Sequence, residues 1–144
     1  MADFFIYTAG GMENVDWDLQ TEYRNKIKNS LEDIHASHTY RVKVWNPPNY
    51  FNFQNPSHDN EREVMEFDLN KVRKSDLIIV NFTYKPVSLG TMAEMAIAYD
   101  RQIPIIGLCE NEDIKLHAWQ KEMCLRIFSD INKLIEYVKH YYIN

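Results

Sequence analysis

The sequence predicts a single three-layer, doubly wound α/β domain with a five-stranded parallel sheet. Three observations lead there. Short runs rich in Ile and Val alternate with amphipathic stretches along the chain; 144 residues suffice for one domain with a proper core; and residues 75–108 read as strand, helix, strand.

That last unit is the most legible. Residues 77–82 (LIIVNF) and 103–108 (IPIIGL) are apolar runs too short for helices and bounded by polar or turn residues. Residues 88–100 between them read as a helix opened by Ser88 as N-cap and stopped shortly before Pro104. Strands joined this way are parallel with a right-handed crossover. The joint at residues 81–90 then lies at the carboxyl end of a strand, where open α/β sheets bind ligands. Just inside the helix stands Glu94, among Ala93, Met95, Ala96 and Ala98, neighbours that suggest close packing on the sheet.

The other elements follow in order. Residues 4–8 form a first strand running into Gly10 and Gly11, a turn that needs glycine for its backbone, for close approach of a ligand, or for both. A helix starts at Asp16 or Asp18 and continues to Ala36. Leu19, Tyr23, Ile27, Leu31 and Ile34 make its buried stripe, and Arg24, Lys26, Lys28 and Glu32 its solvated face. Residues 40–45 are the second strand. Residues 46–57 form a loop carrying Tyr50, Phe51 and Phe53, either a binding loop or a surface loop pinned by its aromatics. Residues 58–74 are a helix with Val64, Phe67, Leu69 or Met65, and Val72 as inner candidates. Asp68 shares their neighbourhood, where a carboxylate is costly unless paired or used. Residues 110–113 are an acidic turn, 115–124 a short helix, 125–128 a last strand, and 130–142 a closing helix capped by Ser129 or Asp130. Five strands at this length take the flavodoxin-like order 2-1-3-4-5, which brings residues 8–12 and 81–90 into one crevice at the switch point.

Composition narrows the function. A net charge of −5 argues against a nucleic-acid polymer as partner, since phosphate neutralisation needs a basic face. No apolar run approaches the ~20 residues that span a bilayer, and no leader pattern stands at the start, so a cytoplasmic protein without membrane contact is expected. Cys109 and Cys124 lack CxxC spacing and are expected to be reduced and structural. Five scattered histidines show no metal-ligand spacing, and nucleotide fingerprints rich in glycine are missing, so neither metal nor cofactor is expected. Thirteen per cent aromatic residues exceed what the core needs, which points to a pocket wall or a subunit interface. Carboxylate chemistry remains, with Glu94 and Asp68 placed to face the crevice. A carboxylate nucleophile with a second acid or base is the equipment for cleaving a glycosidic bond with retention.

At these residues the chain resembles the nucleoside 2-deoxyribosyltransferase family. The resemblance is carried by residues 88–98 (SLGTMAEMAIA), preceded by 76–81 (DLIIVN) and followed by 104–107 (PIIG), by 6–12 (IYTAGGM), by Asp68-Leu69 and by His117-Ala118-Trp119. It implies one such domain over residues 1–144 that splits the bond between a base and deoxyribose through a covalent deoxyribosyl–enzyme intermediate and passes the sugar to another base. Glu94 matches the family's nucleophile and Asp68 the acid that meets the base. Tyr7, Ala9, Gly10, Gly11 and Met12 match the pocket wall, and Ser88 and Gly90 the start of the nucleophile's helix. A neighbouring subunit lends residues to each site from a segment that 115–119 matches, so His117, Trp119 and a homo-oligomer are implied. The partners implied are a nucleoside or nucleotide and a free base.

One position departs from the transferases: Ser88 stands where many have an aspartate that contacts the sugar 5′-hydroxyl. Serine there is similar to the related deoxynucleoside 5′-monophosphate N-hydrolases, where it helps hold the phosphate. Amides at a helix start accept an anion that an aspartate would repel. Blander readings stay open beside these: Glu94 as an exposed helix glutamate, Asp68 paired with Arg62, Lys71 or Arg73, Ser88 as a plain cap, Tyr7 as core, His117 as a surface histidine. A nucleotide-binding sensor of the same fold without turnover is the alternative from another class.

Overall fold

The structure, a computed structural model, describes residues 1–12, 15–50, 58–84 and 88–144. Its five strands are β1 (Ala2–Gly10), β2 (Tyr40–Trp45), β3 (Leu77–Asn81), β4 (Ile105–Leu108) and β5 (Arg126–Phe128). All pair in parallel in the order β2-β1-β3-β4-β5. The helices are α1 (Trp17–Leu31), α2 (Glu61–Arg73), α3 (Leu89–Asp100), α4 (Ala118–Met123) and α5 (Ile131–Val138), the last continuing into a π-helical turn, Lys139–Ile143.

Alternation along the strands divides the core in two. Ile6, Leu77, Ile79, Ile106 and Phe128 face α1 and α5, where they meet Ile27, Leu31, Leu134 and Val138. Tyr7, Ala9, Ile78, Val80 and Ile105 face the opposite layer, where they meet Val72, Met95 and Ala98. β3 is buried at every residue, as a central parallel strand covered on both faces must be. The register sets Gly10 beside Asn81 and Asn81 beside Leu108, so the strand ends that frame the crevice stand level.

Caps account for several helix starts. Ser88 accepts from Thr91 N, Asn60 from Glu63 N, and Asp130 from the amides of Asn132 and Lys133, each occupying a donor the helix leaves open. His117 Nδ1 accepts from Trp119 N while Gln120 Oε1 accepts from His117 N, closing a capping box on α4. On the far side of the sheet, Ser37 Oγ donates to the Ile143 carbonyl, and the Asn144 side chain donates to the Ala36 carbonyl and accepts from His38 N.

Several expected details differ. α1 ends at Leu31 rather than Ala36, because the chain turns at Glu32–Asp33, so Ile34 falls off the stripe and is 84% exposed. Leu19 is also exposed, and the buried positions of α1 are Gln20, Tyr23, Arg24, Ile27 and Leu31. Arg24 is therefore not on the solvated face. Lys28 and Glu32, also assigned to solvent, pair at 2.5 Å and hold β2 through the Val44 backbone. In α2 Val64 and Val72 are buried, Phe67 and Leu69 half-buried, and Met65 exposed. In α3 Met95 and Ala98 are buried in this layer with Met92 and Ile97 packed beside them, while Ala93 and Ala96 are exposed. Phe51 and Phe53 of the expected aromatic loop lie outside the described residues; Tyr50 is there, its ring 5.1 Å from that of Phe67. Both cysteines are free thiols, Cys124 buried. No helix of the described residues is long and apolar enough to cross a membrane.

Candidate active site

A cavity of about 630 Å³ opens at the carboxyl edge of the sheet between α2, α3 and the end of β1. Of the residues singled out in the sequence, Gly10, Met12, Asp68, Ser88, Gly90 and Glu94 line it. Tyr7 and Ala9 are buried beneath it in β1, and Gly11 is part-exposed beyond the strand end. His117 and Trp119 are not in its wall. His117 is engaged as the α4 cap, and Trp119 is 68% exposed. The cavity also takes Val64, Met65 and Leu69 from α2 as apolar wall, with Glu61, Arg62 and Glu66 from the same helix.

Helical spacing places the carboxylate of α3. Thr91, Glu94, Met95 and Ala98 form its buried face at intervals of three, one and three, so Glu94 cannot turn to solvent without unseating Met95 and Ala98. It is 8% exposed, which excludes the surface-glutamate reading. Asp68 is half-buried on α2 and makes no ion pair among the described residues. Arg62 pairs with Glu66 at 2.9 Å, and the Lys71 ammonium lies 4.3 Å from the centre of the Trp45 ring. Tyr7 belongs to the core, as its 1% exposure requires, but its hydroxyl points to the acids.

Asp68 Oδ1, Glu94 Oε2 and the Tyr7 hydroxyl are all buried, and none has a well-formed hydrogen bond among the described residues. Burial penalises both carboxylates, pushing Asp68 up to about 7 and Glu94 up to about 8. The Tyr7 hydroxyl and the Arg24 guanidinium oppose the rise in both acids, and the Asp68 charge adds to it at Glu94. The Tyr7 phenol is itself driven well up, first by burial and then by the two carboxylates. Near neutrality each of these acids is therefore poised between its protonated and charged forms. One can act as nucleophile while the other donates a proton.

The amino-terminal wall rests on backbone geometry. Gly10 has φ +155, and a Cβ there would stand 2.7 Å from the Tyr23 hydroxyl and 3.2 Å from the Asn81 carbonyl. Gly90 differs: nothing lies within 4 Å of the Cβ it lacks, so its place in the wall is a matter of room, not of strain. Buried Gln20 donates to the carbonyls of Met12 and Val15.

Two residues at the site escaped the sequence reading. Arg24 is 1% exposed and donates through Nη1 to the Gln20 carbonyl at 2.9 Å and through Nη2 to the Gly10 carbonyl at 3.2 Å. The signal was there: residues 20, 24, 27 and 31 repeat at four, three and four, and that is the stripe α1 buries. Thr91, the second, has a buried hydroxyl without a partner among the described residues and lines the cavity.

The sequence profile described as Nucleoside 2-deoxyribosyltransferase matches residues 6–130, and the chain belongs to that family. Among curated proteins no sequence match was found. Solved structures share the fold at low identity. A conserved protein from Enterococcus faecalis is 18% identical with a TM-score of 0.75, over 96% of this chain and 99% of its own. A 2-deoxyribosyltransferase from Bacillus psychrosaccharolyticus is 17% identical at 0.71, over 92% and 91%. A CMP N-glycosidase from Clostridium botulinum is 15% identical at 0.62, over 95% and 98%.

The raised carboxyls have a consequence for stability. A group whose folded pKa exceeds its unfolded value binds its proton more tightly in the native state. That stabilisation is full below the unfolded value near 4.5 and is lost as pH rises through about 8 for Glu94. Stability is therefore expected to decline between those limits. Glu94→Gln, which keeps the shape but cannot ionise, should flatten the decline and exceed wild type by more than about 1 kcal/mol at alkaline pH. Denaturant titrations across pH test this; parallel curves for the two proteins would contradict it.

Proposed function

We propose that the protein cleaves the N-glycosidic bond of 2′-deoxynucleosides through a covalent deoxyribosyl–Glu94 intermediate and transfers the sugar to another base. The observation that carries this reading is the meeting of two carboxyls, one half-buried and one buried, from different helices at one cavity with room for a nucleoside. Family membership supports the reaction type. A Glu94 carboxylate oxygen bonds to C1′ as the C1′–N bond breaks. The electron pair leaves with the base, and the Asp68 proton passes to the base nitrogen. In the second half, a nitrogen of the incoming base attacks C1′, its proton returns to Asp68, and the Glu94 carboxylate departs. The productive microstate has the proton on Asp68 and the charge on Glu94, and the cationic sugar of the transition state favours that distribution. Tyr7, Ala9, Gly10, Gly11, Met12 and Gly90 form the wall and floor in this reading.

A second reading, hydrolysis of deoxynucleoside 5′-monophosphates with water as acceptor, is favoured by the start of α3. Ser88 replaces the aspartate of many transferases, the buried Thr91 hydroxyl faces the same space, and the first helical amides are anion donors. A fold neighbour is named as a CMP N-glycosidase. Either substrate class belongs to the cytoplasm, where we place the protein.

We further propose a homo-oligomer with shared sites. Leu89 (87% exposed), Tyr99 and Trp119 leave apolar side chains outside the fold, and His117 and Trp119 stand apart from their own chain's cavity.

The decisive experiment incubates the protein with a deoxynucleoside or its 5′-monophosphate, with and without a second base, and analyses the products. Exchange of bases identifies a transferase and free sugar or sugar phosphate a hydrolase; no product from either substrate would overturn both. Glu94→Ala should lose several orders of magnitude in turnover while staying folded. Near-normal activity in that variant would end the covalent mechanism.

Ser88→Ala separates the two substrate classes. A hydrogen bond to a charged group contributes roughly 1.5–3 kcal/mol, so kcat/KM for the monophosphate should fall about ten- to a hundredfold relative to the free nucleoside. An unmoved ratio makes Ser88 a cap alone. For the oligomer, sedimentation at assay concentration should show more than one subunit; a fully active monomer would contradict shared sites.

A further inference from the structure

Arg24 is a permanent cation with its guanidinium removed from water, and it makes no direct ion pair among the described residues. Two carbonyls take hydrogen bonds from it, its Nε has no partner among the described residues, and the Tyr23 ring lies 5.0 Å from its central carbon. Carbonyl dipoles and a ring face compensate a buried cation incompletely, so its position calls for negative charge nearby. One of those carbonyls is Gly10, in the cavity wall, and half-buried Asp68 and buried Glu94 face that cavity from α2 and α3. We propose that Arg24 is a positioning residue for this pair: it holds the Gly10 turn by hydrogen bond and supplies the positive charge that lets one of the two acids carry its negative charge.

The charged and titratable groups around the pair come from every packed element: Tyr7 on β1, Tyr23 and Arg24 on α1, Asp68 itself with Glu61, Arg62 and Glu66 on α2, and Glu94 on α3. Arg62 is exposed and already paired with Glu66, so its field is screened by solvent. Arg24 is the cation among them that water does not screen, and its charge favours ionisation of both acids.

The inference rests on Asp68 and Glu94 as the reacting pair, but its test does not need turnover. Carbon-13 carboxyl resonances of Asp68 and Glu94 are followed by NMR from pH 4 to 10 in wild type, Arg24→Lys and Arg24→Gln. Lysine keeps the charge without the guanidinium fork, and glutamine removes the charge while leaving a neutral polar side chain. The carboxyl midpoints should rise by about one pH unit in Arg24→Gln and stay near wild type in Arg24→Lys. In the assay, the pH–rate profile of base release should move upward with them, a loss of about tenfold on its acid side that shrinks as pH rises. A structural role would lower the amplitude and leave the profile in place. Unmoved midpoints in folded Arg24→Gln overturn the proposal. Should that variant not fold, the wild-type Arg24 Nε resonance decides: it must shift at the carboxyl midpoints, and a silent resonance overturns the proposal. If wild type turns over neither substrate, the proposed activity fails while the carboxyl titration still decides the role of Arg24.

Discussion

At residue 10 the chain has room for no side chain, and the carboxyl edge of the sheet is arranged around that fact. β1 lies against β3 there, the Tyr23 hydroxyl and the Asn81 carbonyl occupy the space a Cβ would need, and Arg24 closes on the Gly10 carbonyl from the other layer. This lets α1, which packs on the opposite side of the sheet from α2 and α3, reach around the strand end and place a cation near their carboxylates. A doubly wound sheet ordinarily separates its two helical layers; at this strand end the glycine gives them electrostatic contact.

That contact matters because the acids are expensive where they stand. A carboxylate withdrawn from water beside another is destabilised twice, by lost hydration and by its neighbour, and both effects appear in the upward shift at Glu94. The fold tolerates this through packing that leaves α3 little choice of orientation: Met95 and Ala98 must face the sheet, and Glu94 is carried inward with them. Inferred catalytic competence and reduced stability thus share one cause, a desolvated acid held by apolar neighbours.

How far the sequence could be read depended on whether burial followed apolarity. Strand order, the βαβ unit, the Ser88 cap and the meeting of Asp68 with Glu94 at one cavity were legible because Ile and Val runs and N-cap residues have few interpretations. The errors fall where polar residues are buried or apolar ones are not. Charge alone assigns Arg24 to solvent, although its spacing puts it with Ile27 and Leu31. Hydropathy alone assigns Leu19 and Ile34 to the core, although the helix turns one out and ends before the other. Ala93 and Ala96 are small enough to suggest close packing, yet smallness carries no direction: both are exposed, Ala93 at the cavity wall. Distances within a cavity, such as the closeness of Tyr7 to the acids, depend on tertiary placement that no local pattern encodes.

The bonds joining Ser37 to Ile143 and Ala36 to Asn144 link residues 106 and 108 positions apart. They tie the connection between α1 and β2 to the turn beyond α5, clasping the edge of the sheet formed from the first third of the chain. During synthesis, that edge must wait for residues 143 and 144 to emerge before the clasp can close. Parallel pairing imposes the same delay throughout, since each strand meets its neighbour only after an intervening helix. The crevice, whose lining comes from residues 10 to 94, does not depend on that clasp; the β2 edge does.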